Sequence, residues 1–290
     1  MSRQRKIRSS PWLDVVVNAT MIFVLIVCLV PFIYLLAISL SSPEALINNK
    51  VTLYPVGFNL ESYKQILTYP NFFRAYGYTV FYTTCGTLIA LTVTTIFAYA
   101  MSKRFLYGHK LIMMLIVFSM FFNGGLIPNY LLISSLKLTG TVWAMLVPFA
   151  ISQFNLIILI NFIRNVPSEL EEAAIIDGLD YFGVLWRIIV PLSTPALATI
   201  GLYTAVFFWN DWFNGLIYLN TRQYPVMLVL RNIVNGTMMV GDAAGAADKS
   251  AISMSIKSAA IMVATLPIIL LYPLLQRFFI AGLTIGSVKG

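Results

Sequence analysis

Charge is what this sequence has least of. Only 10% of its 290 residues are Asp, Glu, Lys or Arg, 59% are hydrophobic, and the mean hydropathy is +0.83. Soluble domains carry about 25% charged residues. A chain this apolar cannot hide its surface in one water-borne core. That excludes a soluble globular fold and predicts an all-α polytopic membrane protein. Cysteine is scarce too: Cys28 and Cys85 both lie in apolar stretches and read as small hydrophobes, not as a disulfide or metal pair. The single histidine, His109, sits in a basic loop and reads as a solvated loop residue; one histidine excludes a His-based relay. There is no GxxxxGK[ST] stretch, no HExxH and no GxSxG. The reading is therefore a chain that is not an enzyme, has no catalytic residues, metal or cofactor of its own, and depends on another chain for any nucleotide-driven work. The net charge of +8 is spread among loops and is not massed on one face, which argues against nucleic acid as a partner.

What the chain has is long apolar runs. Six spans fit, at about 15–38, 74–100, 110–134, 141–163, 195–219 and 258–281. The basic stretch before the first, residues 1–14, leads into a run too long for a signal-peptide core and without a convincing cleavage site. Six spans place both termini on one side, and basic residues choose the side. With the N-terminus in the cytoplasm, eleven of the nineteen Lys and Arg fall in inner segments, among them Lys103, Arg104, Lys110, Arg164 and Arg187. This division makes 15–281 the transmembrane domain and 282–290 a cytoplasmic tail.

The outer segments carry their own signals. Ser41-Ser42-Pro43 and Tyr54-Pro55-Val56-Gly57 mark turns, and the aromatic-rich piece from Tyr63 to Tyr76 suits a membrane interface. The extracytoplasmic loop at 220–257 is the least apolar part of the chain and includes Asn235-Gly236, a turn dipeptide. A loop that long is functional or disordered; Tyr224, Met227 and Leu230 at its start favour the first. The third span is interrupted by Asn123, Gly124, Gly125 and Pro128. Such a break is tolerated where protein or a water-filled cavity satisfies the freed backbone, so a kink and a pathway-lining break both fit.

The fifth span holds the most polar aromatic cluster, from Phe207 to Asn214. Tyr203, Phe207, Asn210 and Asn214 are spaced to share one helix face. Aromatic rings pack on the apolar faces of sugars and amides bond their hydroxyls. An interfacial aromatic belt accounts for Trp209 and Trp212 but not for Asn210, Asp211 and Asn214. An ionisable residue near the membrane is a candidate functional group, although Asp211 also suits an interfacial or structural role. Asn155 joins the substrate-pathway candidates, with interhelical hydrogen bonding as its alternative. The threonines of the second span occur on all faces and indicate close helix packing.

The stretch Pro167–Pro191 is the polar exception on the inner side, with five of the eleven acidic residues. Ser168 and Glu171 have capping-box spacing, Gly178 suits a left-handed helix end, and Tyr181–Val190 reads as a second short helix ended by Pro191. An ordinary connecting loop shares that local pattern.

The motif spacing is more specific. EAAIIDG at 172–178, followed by Ile188 and Val190-Pro191, resembles the EAA motif of ABC importer permeases, with valine where leucine is usual. FNGGLIPNYLLISSL, VPFAISQFN, WNDWF and the final residues are similar to the carbohydrate-uptake branch of that family, particularly smaller permease subunits of the maltose-importer type and their oligosaccharide-transporting relatives. The resemblance implies a type I importer permease fold in a bacterial cytoplasmic membrane. It implies a second, different permease subunit and two copies of a cytoplasmic ATPase that hold ATP and Mg. It also implies an extracytoplasmic solute-binding lipoprotein or periplasmic protein, and a sugar substrate, an oligosaccharide before a monosaccharide. Glu169, Glu172, Ala173, Ala174, Asp177 and Gly178 would couple to the ATPase, with the two alanines allowing close approach. Gly286, Ser287, Val288, Lys289 and Gly290 would reach between the ATPases, and Asn123, Asn155, Trp209, Asn210, Asp211 and Asn214 would line the substrate pathway. The rival readings are an ion-gradient-driven secondary transporter, a permease for a non-sugar solute, and a non-transporting scaffold. Apart from Asp211, no acidic residue lies well inside a span, which weighs against the first.

Overall fold

The computed structural model describes residues 11–241 and 253–270, and among these every regular element is helical. Among the described residues three helices are long and apolar enough to cross a membrane, Trp12–Ser39, Phe72–Ser102 and Ser253–Leu270; two strongly bent helix pairs bring the number to five if each pair is one span. The chain divides into two compact units, Met1–Tyr69 with Ile233–Ala264, and Pro70–Asn232 with Thr265–Gly290.

In the first unit α1 (Pro11–Ser39) is apolar on all sides and exposed over most of its length. Its end is fixed by hydroxyls: the Ser41 side chain donates to the Ala37 carbonyl at 2.6 Å and accepts the Val56 N–H at 3.1 Å. Ser42 caps α2 (Pro43–Ile47), with Pro43 at its first position, where the missing N–H costs nothing. At 54–57 the chain bends, with Gly57 at φ +66° and the Val56 carbonyl accepting the Ser42 N–H at 3.1 Å. α3 (Glu61–Leu67) places Tyr63 against Ser39 at 2.8 Å.

The second unit is organised by α4 (Phe72–Ser102), a single 31-residue helix that starts before the expected span. The third expected span is broken: α5 (His109–Phe121) and α6 (Leu126–Ser135) meet at 119° across Phe122–Gly125. His109, expected to be solvated, instead opens α5 with Nε2 3.0 Å from the Arg164 guanidinium. The 141–163 stretch is not one helix. It divides into α7 (Trp143–Leu146) and α8 (Gln153–Arg164), whose start is capped by Ser152. α9 (Ser168–Ile176) and α10 (Tyr181–Val184) follow. The helix beyond α10 does not stop at Pro191: a π turn at Leu185–Ile189 leads into α11 (Val190–Leu192). Proline has no N–H to give, and the Val190 N–H reaches back five residues to the Leu185 carbonyl just before it. The chain then bends by 81° into α12 (Thr194–Asn210). α13 is Phe213–Tyr218. α14 (Val226–Gly241) runs straight through Asn235-Gly236, so the expected turn is absent. Its apolar row of Val226, Val229, Leu230 and Ile233 is buried, and that periodic burial outweighs a local turn preference of about 1 kcal/mol. α14 passes from the second unit into the first at Ile233, and α15 (Ser253–Leu270) belongs to the first unit up to Ala264. In the second unit one core cluster brings Ala98, Tyr99 and Met101 of α4 against Leu156, Leu159, Ile160 and Ile163 of α8, Ala174 of α9 and Ile200 of α12, and smaller clusters form around Tyr82 and around Ile133.

Candidate functional site

The α9–α10 loop is built by backbone chemistry. The capping box does not form: α9 begins at Ser168 itself, Pro167 precedes it with extended ψ, and no side chain caps the end. Glu171 is instead drawn to the Lys103 ammonium, an interaction no local pattern could reveal. Glu169 and Glu171 still favour the positive end of the helix dipole from its first turn. At the other end the expected left-handed glycine is present. Gly178 has φ +89°, its N–H donates to the Ile175 carbonyl at 3.0 Å, and the Leu179 N–H donates to the Ala174 carbonyl at 3.0 Å. These two bonds are a Schellman closure, and Leu179 packs on the same core as Ala174. Asp180 then caps α10, accepting the Gly183 N–H at 2.8 Å.

The coupling candidates do not all face one way. Ala174 is only 6% exposed and packs inside the chain, so its small side chain serves this chain's own core and not an approaching partner. Glu169, Glu172, Ala173, Asp177 and Gly178 are exposed. Beside them Ile176 is 85% exposed, with Tyr181 and Phe182 also open to solvent. A cavity of about 430 Å³ separates α9 from the segment after α4, lined by Lys103, Arg104, Arg164, Ser168, Glu171 and Glu172 among others.

The substrate-pathway candidates are dispersed. α12 ends at Asn210, so Asn214 does not continue the face of Tyr203, Phe207 and Asn210; it belongs to α13. Asp211, 8% exposed, lies in the break: its carboxylate accepts the Asn214 backbone N–H at 3.1 Å and the Asn214 amide at 2.8 Å. Lying between the end of α12 and Trp212, the residue that precedes α13, the acid satisfies a backbone N–H in the first turn of the next helix. Trp209 is 6% exposed with its ring edge-on to Tyr76 at 5.6 Å, while Asn210 is exposed and bonds the Val206 carbonyl of its own helix. Asn155 is buried, and its amide reaches the Thr204 hydroxyl at 3.4 Å, the interhelical alternative. Asn123 shapes the α5–α6 break, accepting the Gly125 N–H at 3.0 Å and the Asn129 amide at 3.2 Å. The tail residues Gly286–Gly290 lie outside the described residues.

Sequence reasoning gave Lys103 and Arg164 only a topological role. Arg164, at the end of α8, donates to the Met101 carbonyl at 3.0 Å and so ties α8 to the end of α4. Its signal was faint: a cation in a last helical turn suits the carbonyl end of a dipole, though here the dipole belongs to a neighbouring helix. Arg231 also escaped notice; its guanidinium lies 3.6 Å from the centre of the Trp212 ring.

Residues 104–285 match the family described as the binding-protein-dependent transport system inner membrane component. The chain belongs to that family. This permease is 42% identical to Protein LplC of Bacillus subtilis (strain 168) over 268 residues, covering 91% of this chain and 90% of that protein. It is 39% identical over 280 residues to the polygalacturonan/rhamnogalacturonan transport system permease protein YtcP of the same organism, covering 96% and 98%. In fold it is similar to a chain of a bacterial ABC transporter that imports the acidic polysaccharide alginate, with a TM-score of 0.81 and 29% identity over 93% of this chain and 99% of that one. It is therefore a permease of the ABC importer class, helical throughout its described regular elements, and an inner-membrane component of a binding-protein-dependent system.

Proposed function

We propose that the chain forms half of the translocation pore of an ATP-driven importer of oligosaccharides. In this reading it has six spans with both termini in the cytoplasm, pairs with a different permease, and takes its substrate from an extracytoplasmic solute-binding protein. Two cytoplasmic ATPase subunits hold the ATP and Mg; this chain hydrolyses nothing. The observation that carries the reading is the exposed, Schellman-closed α9 with its EAA-glycine sequence, in a chain that matches the family along most of its length. Glu169, Glu172 and Ala173 present a short acidic face with Ile176 at its tip, a shape that suits a groove with basic and apolar lining on an ATPase. Closure of the ATPase dimer moves α9 and rocks the permeases between inward- and outward-facing states. Each ligand drives this only by favouring one state over the other. The tail at 286–290 senses the closure, and the loop at 220–257 meets the binding protein.

The relatives that handle polygalacturonan, rhamnogalacturonan and alginate make fragments of acidic polysaccharides the first substrates to test. Asn210 and its neighbours on α12 are the proposed sugar contacts. The deciding experiment reconstitutes the full complex in liposomes with its binding protein and compares the parent with Glu172→Arg. Reversing that charge is expected to abolish uptake and binding-protein-stimulated ATP hydrolysis. Normal coupling in the variant, or uptake driven by a proton gradient without ATP, overturns the reading.

A further inference from the structure

α4 is held at both ends by side-chain bonds. Near its start the Thr79 hydroxyl accepts the Val226 N–H at 2.7 Å, and the Tyr82 hydroxyl donates to the Gln223 carbonyl at 3.1 Å. Tyr76, one turn earlier, meets Trp209. At its end Lys103 forms an ion pair with Glu171 of α9, its ammonium also 4.7 Å from the centre of the Tyr99 ring. A 31-residue helix spans about 45 Å, the full thickness of a bilayer with its headgroups.

α9 itself has a weak footing. Ala174 is its one buried residue, a single methyl on the core, and the 430 Å³ cavity leaves room on the side toward α4. A short helix resting on one point rocks about that point unless a second is fixed. Lys103–Glu171 supplies the second. The two side chains are 20% and 12% exposed, so the pair is largely out of solvent and is not screened like a surface pair. The Arg164 bond to the Met101 carbonyl also ties the end of α4 to α8.

We infer that Lys103 is a positioning residue of the transport cycle: by pairing with Glu171 it fixes the angle of α9 against the end of α4, so that movement of α9 is delivered to α4 and through it to the segment at 223–226. The Tyr99 ring under the ammonium keeps Lys103 aimed at Glu171 and not at Glu172, which stays free for a partner. This rests on the reading of α9 as the ATPase-coupling element. A rigid tie of this kind has a distinct signature. Its loss leaves subunits assembled and ATP hydrolysed, but lowers the substrate moved per ATP.

The test uses the complete complex in liposomes, with Lys103→Met, Glu171→Gln and the exchanged pair Lys103→Glu/Glu171→Lys. Each single change is expected to lower sugar transported per ATP hydrolysed at least fivefold with co-purification of all subunits intact. The exchanged pair is expected to recover more than half of the parent ratio. Unchanged ratios in both single variants, or no recovery in the exchanged pair, overturns the proposal. If Lys103→Met prevents assembly, Lys103→Arg decides: it keeps the charge and must retain the parent ratio. Cross-linking of Ile176→Cys to the ATPase separates the two readings. A cross-link with no rescue removes the role of Lys103 alone, and no cross-link removes the coupling reading of α9.

Discussion

Replacing Gly86 by alanine tests the packing that holds α4 against α12. A Cβ built on Gly86 would lie 2.5 Å from two carbons of the Phe208 ring and 2.8 Å from a third. Carbon atoms prefer separations of about 3.5–4.0 Å, so the ring must retreat by about 1 Å. It has nowhere to go: Phe208 is 1% exposed and stands edge-on to Phe207, with ring centres 5.4 Å apart. Overpacking of this kind costs about 1–3 kcal/mol, and the upper half of that range is expected here because the obstacle is a rigid aromatic ring. The assay is thermal unfolding of the detergent-solubilised complex, read as the fraction that stays assembled after heating. Gly86→Ala should lower the midpoint by several degrees. Combining it with Phe208→Leu should cost less than the two changes summed, since the shorter side chain vacates the contested space. A variant as stable as the parent, or strictly additive effects, would refute the argument that Gly86 is glycine because a phenyl ring occupies the place of its side chain.

Changes at three further positions probe the ends of α9 and α12. Gly178→Ala puts a side chain at φ +89° and should destabilise the α9 closure by about 1 kcal/mol, while Gly178→Asn, which tolerates the left-handed region, should retain most of the parent's binding-protein-stimulated ATP hydrolysis; equal behaviour of the two would count against the Schellman closure. Asn210→Ala should slow sugar uptake with assembly preserved, because the Asn210 amide bonds only its own helix and points to the surface, whereas Trp209→Ala should lose stability first, by about 3–5 kcal/mol, through its buried contact with Tyr76. Normal uptake by Asn210→Ala takes that residue off the pathway.

The legible part of the chain was what composition and backbone chemistry decide locally. Long apolar runs made the protein a helical membrane component, Gly124-Gly125 marked the break that bends α5 from α6, and Gly178 marked the closure of α9. What stayed hidden depended on partners distant in sequence. Glu171 had the spacing of a capping residue, yet a cation 68 residues away claims it. Asn155 showed two equal readings until Thr204 of α12 was seen beside it. Asn214 appeared to continue the face of Tyr203, Phe207 and Asn210, because nothing in a 3.6-residue period says that the helix will end at Asn210 and a new one start at Phe213. The Asn235-Gly236 turn failed for the complementary reason: a periodic apolar row can carry a helix through a dipeptide that prefers to turn.

The same contrast explains why the threonine-rich α4 was underrated. Its threonines, spread over all faces, looked like general packing material. Thr95 is that, returning its hydroxyl to the Leu91 carbonyl of its own helix at 2.6 Å. Thr79 is different: it donates to the Ala75 carbonyl at 3.0 Å and with its free lone pair accepts the Val226 N–H, so one hydroxyl satisfies its own helix and a foreign backbone group at once. A hydroxyl on a transmembrane helix becomes a structural joint only when the second partner exists, and that partner starts α14, 147 residues further along the chain. The element best placed to join the α9 face to the 223–226 segment is thus one whose sequence advertises neither joint. Its importance comes from what is tied to Thr79 and Tyr82 at one end and to Met101 and Lys103 at the other.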